Sequence, residues 1–382
     1  MVVLTPPMGW NTWNTFGLEI NEKLILESAQ TMIDSGLRDA GYEYIVIDDG
    51  WSLKQRDENG RLVADPEKFP RGIRALADDL HAMGLKLGIY SCAGLMTCGA
   101  YPGSNSHEFE DAETFASWHI DYLKYDYCYK PQHERGDQLY QRMSLALANS
   151  GRDILFSACS WGAEDTHKWI KSTGAHSWRS TVDIWDTWES ICRLAGEQKA
   201  LLPYNGHGCF NDMDMLVVGM NGKGHVGLSG CTDVQYKTHF ALWAFMGSTL
   251  MIGCDIRNMT EETARILKNP GLIAINQDPG YRQPFSIGGS FNFQHGDCEN
   301  SFVWAKLLDN GDIAIGMFNL SENTRNLYFT LNELALPRFC GKKLELTDVW
   351  TGEVTETKDG SHIVEIDSYD CRVYRAKLVN EK

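Results

Sequence analysis

The sequence predicts an α/β protein: a (β/α)8 TIM barrel followed by an antiparallel β-sandwich. Three observations support this. Apolar, β-rich runs alternate with helical patterns up to about residue 275, as parallel βα units do, and eight such units indicate a closed barrel rather than an open sheet. Nearly every proposed strand ends in polar or aromatic residues, among them Asp48-Asp49, Tyr90, Asp126, Ser160, Asp183 and Asp214. A barrel gathers its strand C-termini on one face, where active sites sit. Past INQDPGYRQP (275–284) the helical patterns stop, and short strands recur between turns such as Asp309-Asn310-Gly311 and Asp359-Gly360.

In chain order, the clearest strands are expected at 42–48, 85–91, 121–127 and 153–160. Weaker signals lie near 7–13, 176–182, 207–215 and 248–255. Helical periodicity covers 21–39, 68–83, 111–119, 134–149, 185–200, 232–246 and 260–268. The division expected is a catalytic barrel over 1–284 and an all-β domain over 285–382. A chain of 382 residues suits a barrel of about 250–300 residues with one smaller domain.

Composition narrows the partners. The chain carries 35 Lys and Arg against 51 Asp and Glu, a formal charge of −16. Nucleic acid and anionic membranes call for basic surfaces, so neither is expected as a partner, whereas a neutral ligand is not penalised. No apolar run is long enough for a membrane span, and MVVLTPP lacks the basic and apolar regions of a signal peptide, so a cytoplasmic location is expected. The 11 cysteines are scattered with no CxxC pair, which argues against zinc spacing and for buried thiols. Asn258-Met-Thr260 and Asn319-Leu-Ser321 match the glycosylation sequon and are read as chance. Whether the chain forms a homo-oligomer is left open.

A carboxylate after a buried strand is often only a helix cap. Five carboxylates at the ends of four strands on one face are harder to explain by capping. Asp48 and Asp49 form an adjacent pair that could hold Mg²⁺ or Ca²⁺, but no further ligand cluster at suitable spacing accompanies them. No metal and no cofactor are therefore expected. Trp13 and Trp51 are either core aromatics or a platform for the apolar face of a sugar. Lys124 lies two residues before Asp126 on one strand face, where its ammonium would keep Asp126 ionised.

Six motifs make the chain recognisable: TPPMGWNTWN (5–14), IDDGW (47–51), LGIYS (87–91), YLKYDYC (122–128), WRSTVDIWDTW (178–188) and NDMDML (211–216). In this order they resemble glycoside hydrolase family 27, which contains α-galactosidases and α-N-acetylgalactosaminidases. The resemblance spans the whole barrel, while the C-terminal β domain is similar only in type. It implies a retaining exo-α-galactosidase acting on terminal α-D-galactosides by double displacement, with an α-galactosyl oligosaccharide or glycoconjugate as substrate. By the same resemblance Asp126 is the nucleophile and Asp183 the acid/base, with Asp186 the local competitor assigned to the first turn of the next helix. Glycosidic cleavage with retention needs such a carboxylate pair, one to attack the anomeric carbon and one to protonate the leaving oxygen.

The family pattern also implies sugar contacts for Trp13, Asp48, Asp49, Tyr90, Lys124, Arg179, Asp214 and Met215. It implies an active-site cysteine pair at Cys98 and Cys128, usually a disulfide. Gly50 and Ala175 stand where some members carry cysteine, which leaves Cys159 without its usual partner and suits a reducing compartment. In the loop Cys159-Ser160-Trp161-Gly162-Ala163, Ser160 and Ala163 match the α-N-acetylgalactosaminidase pattern, although Gly162 stands where those enzymes have proline. α-N-Acetylgalactosaminidase or dual activity is thus the alternative. A non-catalytic carbohydrate-binding barrel is disfavoured because both aspartates are present. A metal-dependent barrel enzyme would need ligand histidines or carboxylates in pattern at the strand ends, and the 11 histidines do not fall there.

Overall fold

Eight short strands form one parallel sheet in the computed structural model, which describes residues 4–289, 301–337 and 340–381. They are β1 (Met8–Asn11), β2 (Tyr44–Val46), β3 (Lys86–Cys92), β4 (Tyr122–Asp126), β5 (Leu155–Ala158), β6 (Ser177–Arg179), β7 (Phe210–Asp212) and β8 (Leu250–Ile252). Their order, β7-β6-β5-β4-β3-β2-β1-β8, is that of a barrel opened between β7 and β8. Just past β7 the gap closes: the Leu216 amide donates to the Met251 carbonyl at 2.7 Å, and Gly253 returns a bond to Leu216 at 2.9 Å. Every expected barrel strand is found, and all but β3 are shorter than their predicted windows. Short strands covered on both faces leave little periodicity to read, as at β1, β6, β7 and β8.

The helices are α1 (Trp13–Phe16), a single turn, then α2 (Glu22–Asp34), α3 (Gly72–Ala82), α4 (Glu108–Ser117) and α5 (Gly136–Asn149). They continue with α6 (Trp188–Glu197), α7 (Asp233–Phe245), α8 (Glu261–Leu267) and α9 (Pro270–Asn276). Local chemistry sets their starts. Asn21 caps α2, Thr187 caps α6, and Thr232 with Gln235 closes a capping box on α7. Helix α9 was not expected, although Asn269 as cap and Pro270 in the first turn are a helix start signal. The β5–β6 crossover has no α-helix and is spanned by two 3₁₀ turns, Ala163–Lys168 and Ile170–Thr173.

The C-terminal strands are β9 (Phe285–Gly289), β10 (Ser301–Leu307), β11 (Ile313–Asn319), β12 (Arg325–Thr330), β13 (Lys342–Asp348), β14 (Val354–Glu356), β15 (Ser361–Ile366) and β16 (Cys371–Asn380). Six form an antiparallel sheet in the order β14-β13-β16-β11-β10-β9, and β12 pairs with β15 across a small core that includes Val303, Ile315, Leu344, Phe329 and Ile366. The Asp359-Gly360 turn precedes β15 with φ of 49° and 71°, the left-handed pair a tight hairpin asks for.

The period-2 alternation of β10 divides its side chains. Val303 and Ala305 face the sandwich core, while Phe302 and Trp304 join the barrel's core cluster. The aromatic residues of this domain divide between two cores: Phe329 and Tyr374 lie in the sandwich, whereas Trp304 and Phe318 pack on Phe245 of α7, with ring centroids 6.5 and 5.9 Å apart. Lys237 pairs with Asp370 at 2.6 Å across the same junction. Residues 285–382 expressed alone are therefore expected to aggregate through this uncovered aromatic face, as size-exclusion chromatography would show; a soluble monodisperse fragment would contradict the packing argument.

The Asn319 sequon is buried, and its amide donates to the carbonyls of Asn323, Ile366 and Asp367 at 2.8, 3.0 and 2.9 Å. That side chain is a structural tie. Among the described residues, no helix is long and apolar enough to cross a membrane.

Candidate active site

A cavity opens at the C-terminal ends of the barrel strands, where barrel active sites sit. Each side of the barrel contributes. Trp13 follows β1, Asp48 follows β2, Tyr90 lies in β3, and Lys124 and Asp126 lie in β4. Cys159 and Trp161 follow β5, Arg179 and Asp183 come from β6 and its loop, and Asp214 and Met215 follow β7. The two expected catalytic aspartates thus line one cavity.

Asp126 is 6% exposed. Its Oδ2 accepts from the Tyr90 hydroxyl at 2.9 Å and its Oδ1 from the Tyr127 amide at 2.8 Å. Burial pushes its pKa above the ordinary carboxylate value, while Lys124, the Tyr127 amide and the Tyr90 hydroxyl pull it back. The Lys124 ammonium favours the charged form of Asp126 through space, as its place on the strand predicts, while its Nζ bonds Asp48 Oδ2 at 2.7 Å. Asp48 also accepts from Asn11 at 2.8 Å, so cation and carboxylate form a fixed polar wall.

Asp183 is the contrasting carboxylate, with its side chain 64% exposed. Arg179 Nη2 reaches Asp183 Oδ1 at 2.8 Å and Asp214 Oδ2 at 2.6 Å, tying the two together. Asp214 has φ of 81° and accepts the amides of Ile184 and Met215, each at 2.7 Å. Burial pushes its pKa up to about 6 against the pull of Arg179, and Asp183 adds to the rise.

Adjacent strand residues point to opposite faces, so the Asp48-Asp49 pair needs a turn. Gly50 supplies it with φ of 87°. Asp48 lines the cavity, but Asp49 does not: its oxygens accept the amides of Gly50 at 2.8 Å and Gly99 at 2.6 Å. Trp13 lines the cavity with its ring edge-on to His225 at 4.8 Å. Trp51 is a buried core aromatic that packs on Trp118 and donates to the Tyr90 carbonyl at 2.9 Å. Cys98 and Cys128 form a disulfide, their Cα atoms 5.4 Å apart; Cys98 lines the cavity and Cys128 lies behind it.

The comparisons agree with this geometry. A melibiase family model described as alpha galactosidase A matches residues 5–278. A second, described as the alpha galactosidase C-terminal beta sandwich domain, matches residues 299–376. The chain belongs to the melibiases of glycoside hydrolase family 27. It is 42% identical over 375 residues to "Alpha-galactosidase 3" of Arabidopsis thaliana, covering 97% of this chain and 81% of that relative. Alpha-galactosidase I from Mortierella vinacea superposes with a TM-score of 0.86 at 32% identity, covering 98% of this chain and 97% of that one. An alfa-galactosidase from Saccharomyces cerevisiae, solved with raffinose, superposes with a TM-score of 0.85 at 28% identity over 98% of both chains.

In this melibiase the loop after β5 follows a path the sequence did not reveal. Ser160 is fully buried with its hydroxyl 2.6 Å from that of Thr166, and neither Ser160 nor Ala163 lines the cavity. Trp161, missed as a site residue, lines it from a left-handed conformation with φ of 57°. Gly162 has φ of 77°, and a Cβ there would meet the Ser180 carbonyl at 2.5 Å. Proline cannot adopt that φ, so this backbone path excludes the proline of the α-N-acetylgalactosaminidase pattern. Cys159 faces the cavity as a thiol 3.8 Å from Arg179 Nη1. Asp186 is also corrected. It is buried and accepts from the Gly222 amide at 2.7 Å and the Tyr236 hydroxyl at 2.8 Å, and Thr187 is the residue that caps α6.

Proposed function

We propose that this chain is a retaining exo-α-galactosidase that hydrolyses terminal non-reducing α-D-galactosides. The observation that carries the reading is the placement of a buried and an exposed carboxylate, Asp126 and Asp183, on one cavity in a melibiase barrel. In the first step a carboxylate oxygen of Asp126 attacks the anomeric carbon, the glycosidic C–O bond breaks, and Asp183 passes its proton to the leaving oxygen. In the second step water attacks the same carbon, Asp183 takes its proton, and the bond to Asp126 breaks. Two inversions give net retention. Asp48, Lys124, Arg179 and Asp214 are placed to bond sugar hydroxyls, and Trp13 to pack on the apolar face of the ring. Residues 1–284 carry the catalysis, and residues 285–382 brace the barrel.

A panel of nitrophenyl α- and β-glycosides, with raffinose as an oligosaccharide, tests the substrate class. NMR of the first-formed sugar is expected to show the α-anomer, and an initial β-anomer would remove the double displacement. The rate is expected to rise with pH as Asp126 loses its proton. Because burial raises Asp126, the acid limb of kcat/KM is expected above the ordinary aspartate value of 3.8.

The α-N-acetylgalactosaminidase alternative rested on small side chains at Ser160 and Ala163, yet the cavity wall there is Trp161. A bulky indole favours the smaller hydroxyl at sugar carbon 2 over an N-acetyl group. Trp161→Ser is expected to shift the kcat/KM ratio toward nitrophenyl α-N-acetylgalactosaminide by about tenfold, or 1.4 kcal/mol, while Ser160→Glu leaves it near the wild-type value. The opposite pattern would restore the alternative.

A further inference from the structure

The end of the barrel opposite the cavity carries a cluster that the hydrolysis does not use. Asp78 and His81 lie on α3, and His119 lies in the turn between α4 and β4. One ligand atom of each lies within 4.8 Å of the other two. We infer that Asp78, His81 and His119 form a binding site for a divalent transition-metal ion of the Zn²⁺, Co²⁺ or Ni²⁺ class.

Two imidazoles and one carboxylate form a donor set suited to these ions. At metal–ligand bonds of about 2.0–2.2 Å, tetrahedral ligands sit roughly 3.3–3.6 Å apart, so closing the cluster needs side-chain shifts of about an ångström. Asp78 is exposed and His81 and His119 are half-buried, which leaves them room for such shifts.

The second observation is how His81 is held. Its Nε2 lies 2.7 Å from Asp121 Oδ2. Asp121 also accepts the Leu87 amide at 2.9 Å and pairs with Arg152, so its carboxylate oxygens act as acceptors. His81 therefore donates from Nε2–H, and its Nδ1 carries the lone pair a metal needs. A carboxylate that orients the far nitrogen of a histidine is the usual support for a metal ligand. His119 is positioned by its Nδ1, 3.0 Å from Asp78 Oδ1, and by a backbone φ of 60°. Arg74 contacts Asp78 at 3.0 Å and is the cation the metal would displace or share. An ion here would clamp α3 to the α4–β4 turn, at the base of the strand that carries Asp126 at its other end.

The test uses the whole chain, stripped with a chelator and titrated with Ni²⁺ by calorimetry and thermal unfolding. One Ni²⁺ per chain is expected, with a raised unfolding midpoint. His119→Asn, which tolerates the left-handed backbone, and His81→Gln are each expected to weaken binding at least about tenfold and abolish the rise, with galactoside turnover unchanged. Equal binding in wild type and both variants would overturn the site. So would loss of turnover on Ni²⁺ saturation in His119→Asn, which would place the ion in the active-site cavity instead.

Discussion

Asp126→Asn is expected to lower kcat for nitrophenyl α-galactoside by about four orders of magnitude or more, roughly 5.5 kcal/mol of barrier. An amide oxygen cannot form the covalent ester, so the first displacement has no nucleophile. The fold is expected to survive. The asparagine carbonyl still accepts the Tyr127 amide, and its NH₂ can donate to the Tyr90 oxygen, replacing two bonds of 2.8 and 2.9 Å. Stability is expected to hold or rise at neutral pH. Because burial raises the Asp126 pKa above its unfolded value, the folded chain binds this proton more tightly than the unfolded chain. Its contribution to stability is present at low pH and is lost as pH rises from the ordinary value of 3.8 through the raised one. At neutral pH the folded chain holds an unfavourable charge, which the amide removes. Parallel thermal unfolding and rate measurements check both halves. Asp126→Gly with added azide adds a chemical check, since a small anion in the vacated space should restore turnover and release the β-glycosyl azide. An active Asp126→Asn enzyme would dismiss the assignment.

Asp183→Asn is expected to cost about 10²–10⁴-fold, and the cost should depend on the leaving group. A nitrophenolate leaves without protonation, whereas the sugar alkoxide of raffinose does not. The variant should therefore lose far more on raffinose than on the nitrophenyl glycoside. Arg179 spans Asp183 and Asp214, at 2.8 and 2.6 Å, so Arg179→Lys is expected to disturb both carboxylates; a single ammonium cannot reproduce the fork. Equal losses on both substrates for Asp183→Asn would leave Asp183 a binding residue and reopen the choice of acid.

What the sequence determined by itself follows from local rules. Eight strand positions, the carboxylates at their C-terminal ends and the Asp359-Gly360 hairpin were legible because burial, alternation and turn chemistry are written within a few residues of each other. The family motifs added roles to those positions. Tertiary structure decided the rest, through contacts between residues far apart in the chain. Lys124 pairs with Asp48, 76 residues away, rather than with the aspartate two positions on. Asp186 ties Gly222 and Tyr236 instead of its own helix. At Phe302, Trp304 and Phe318, alternation tells that a strand has two faces but not what covers each; the barrel covers theirs. The loop after β5 is the sharpest case. Ser160, Trp161 and Ala163 are all present in the sequence, but which of them lines the cavity depends on left-handed turns at Trp161 and Gly162, a choice of backbone path that side-chain identity alone does not encode.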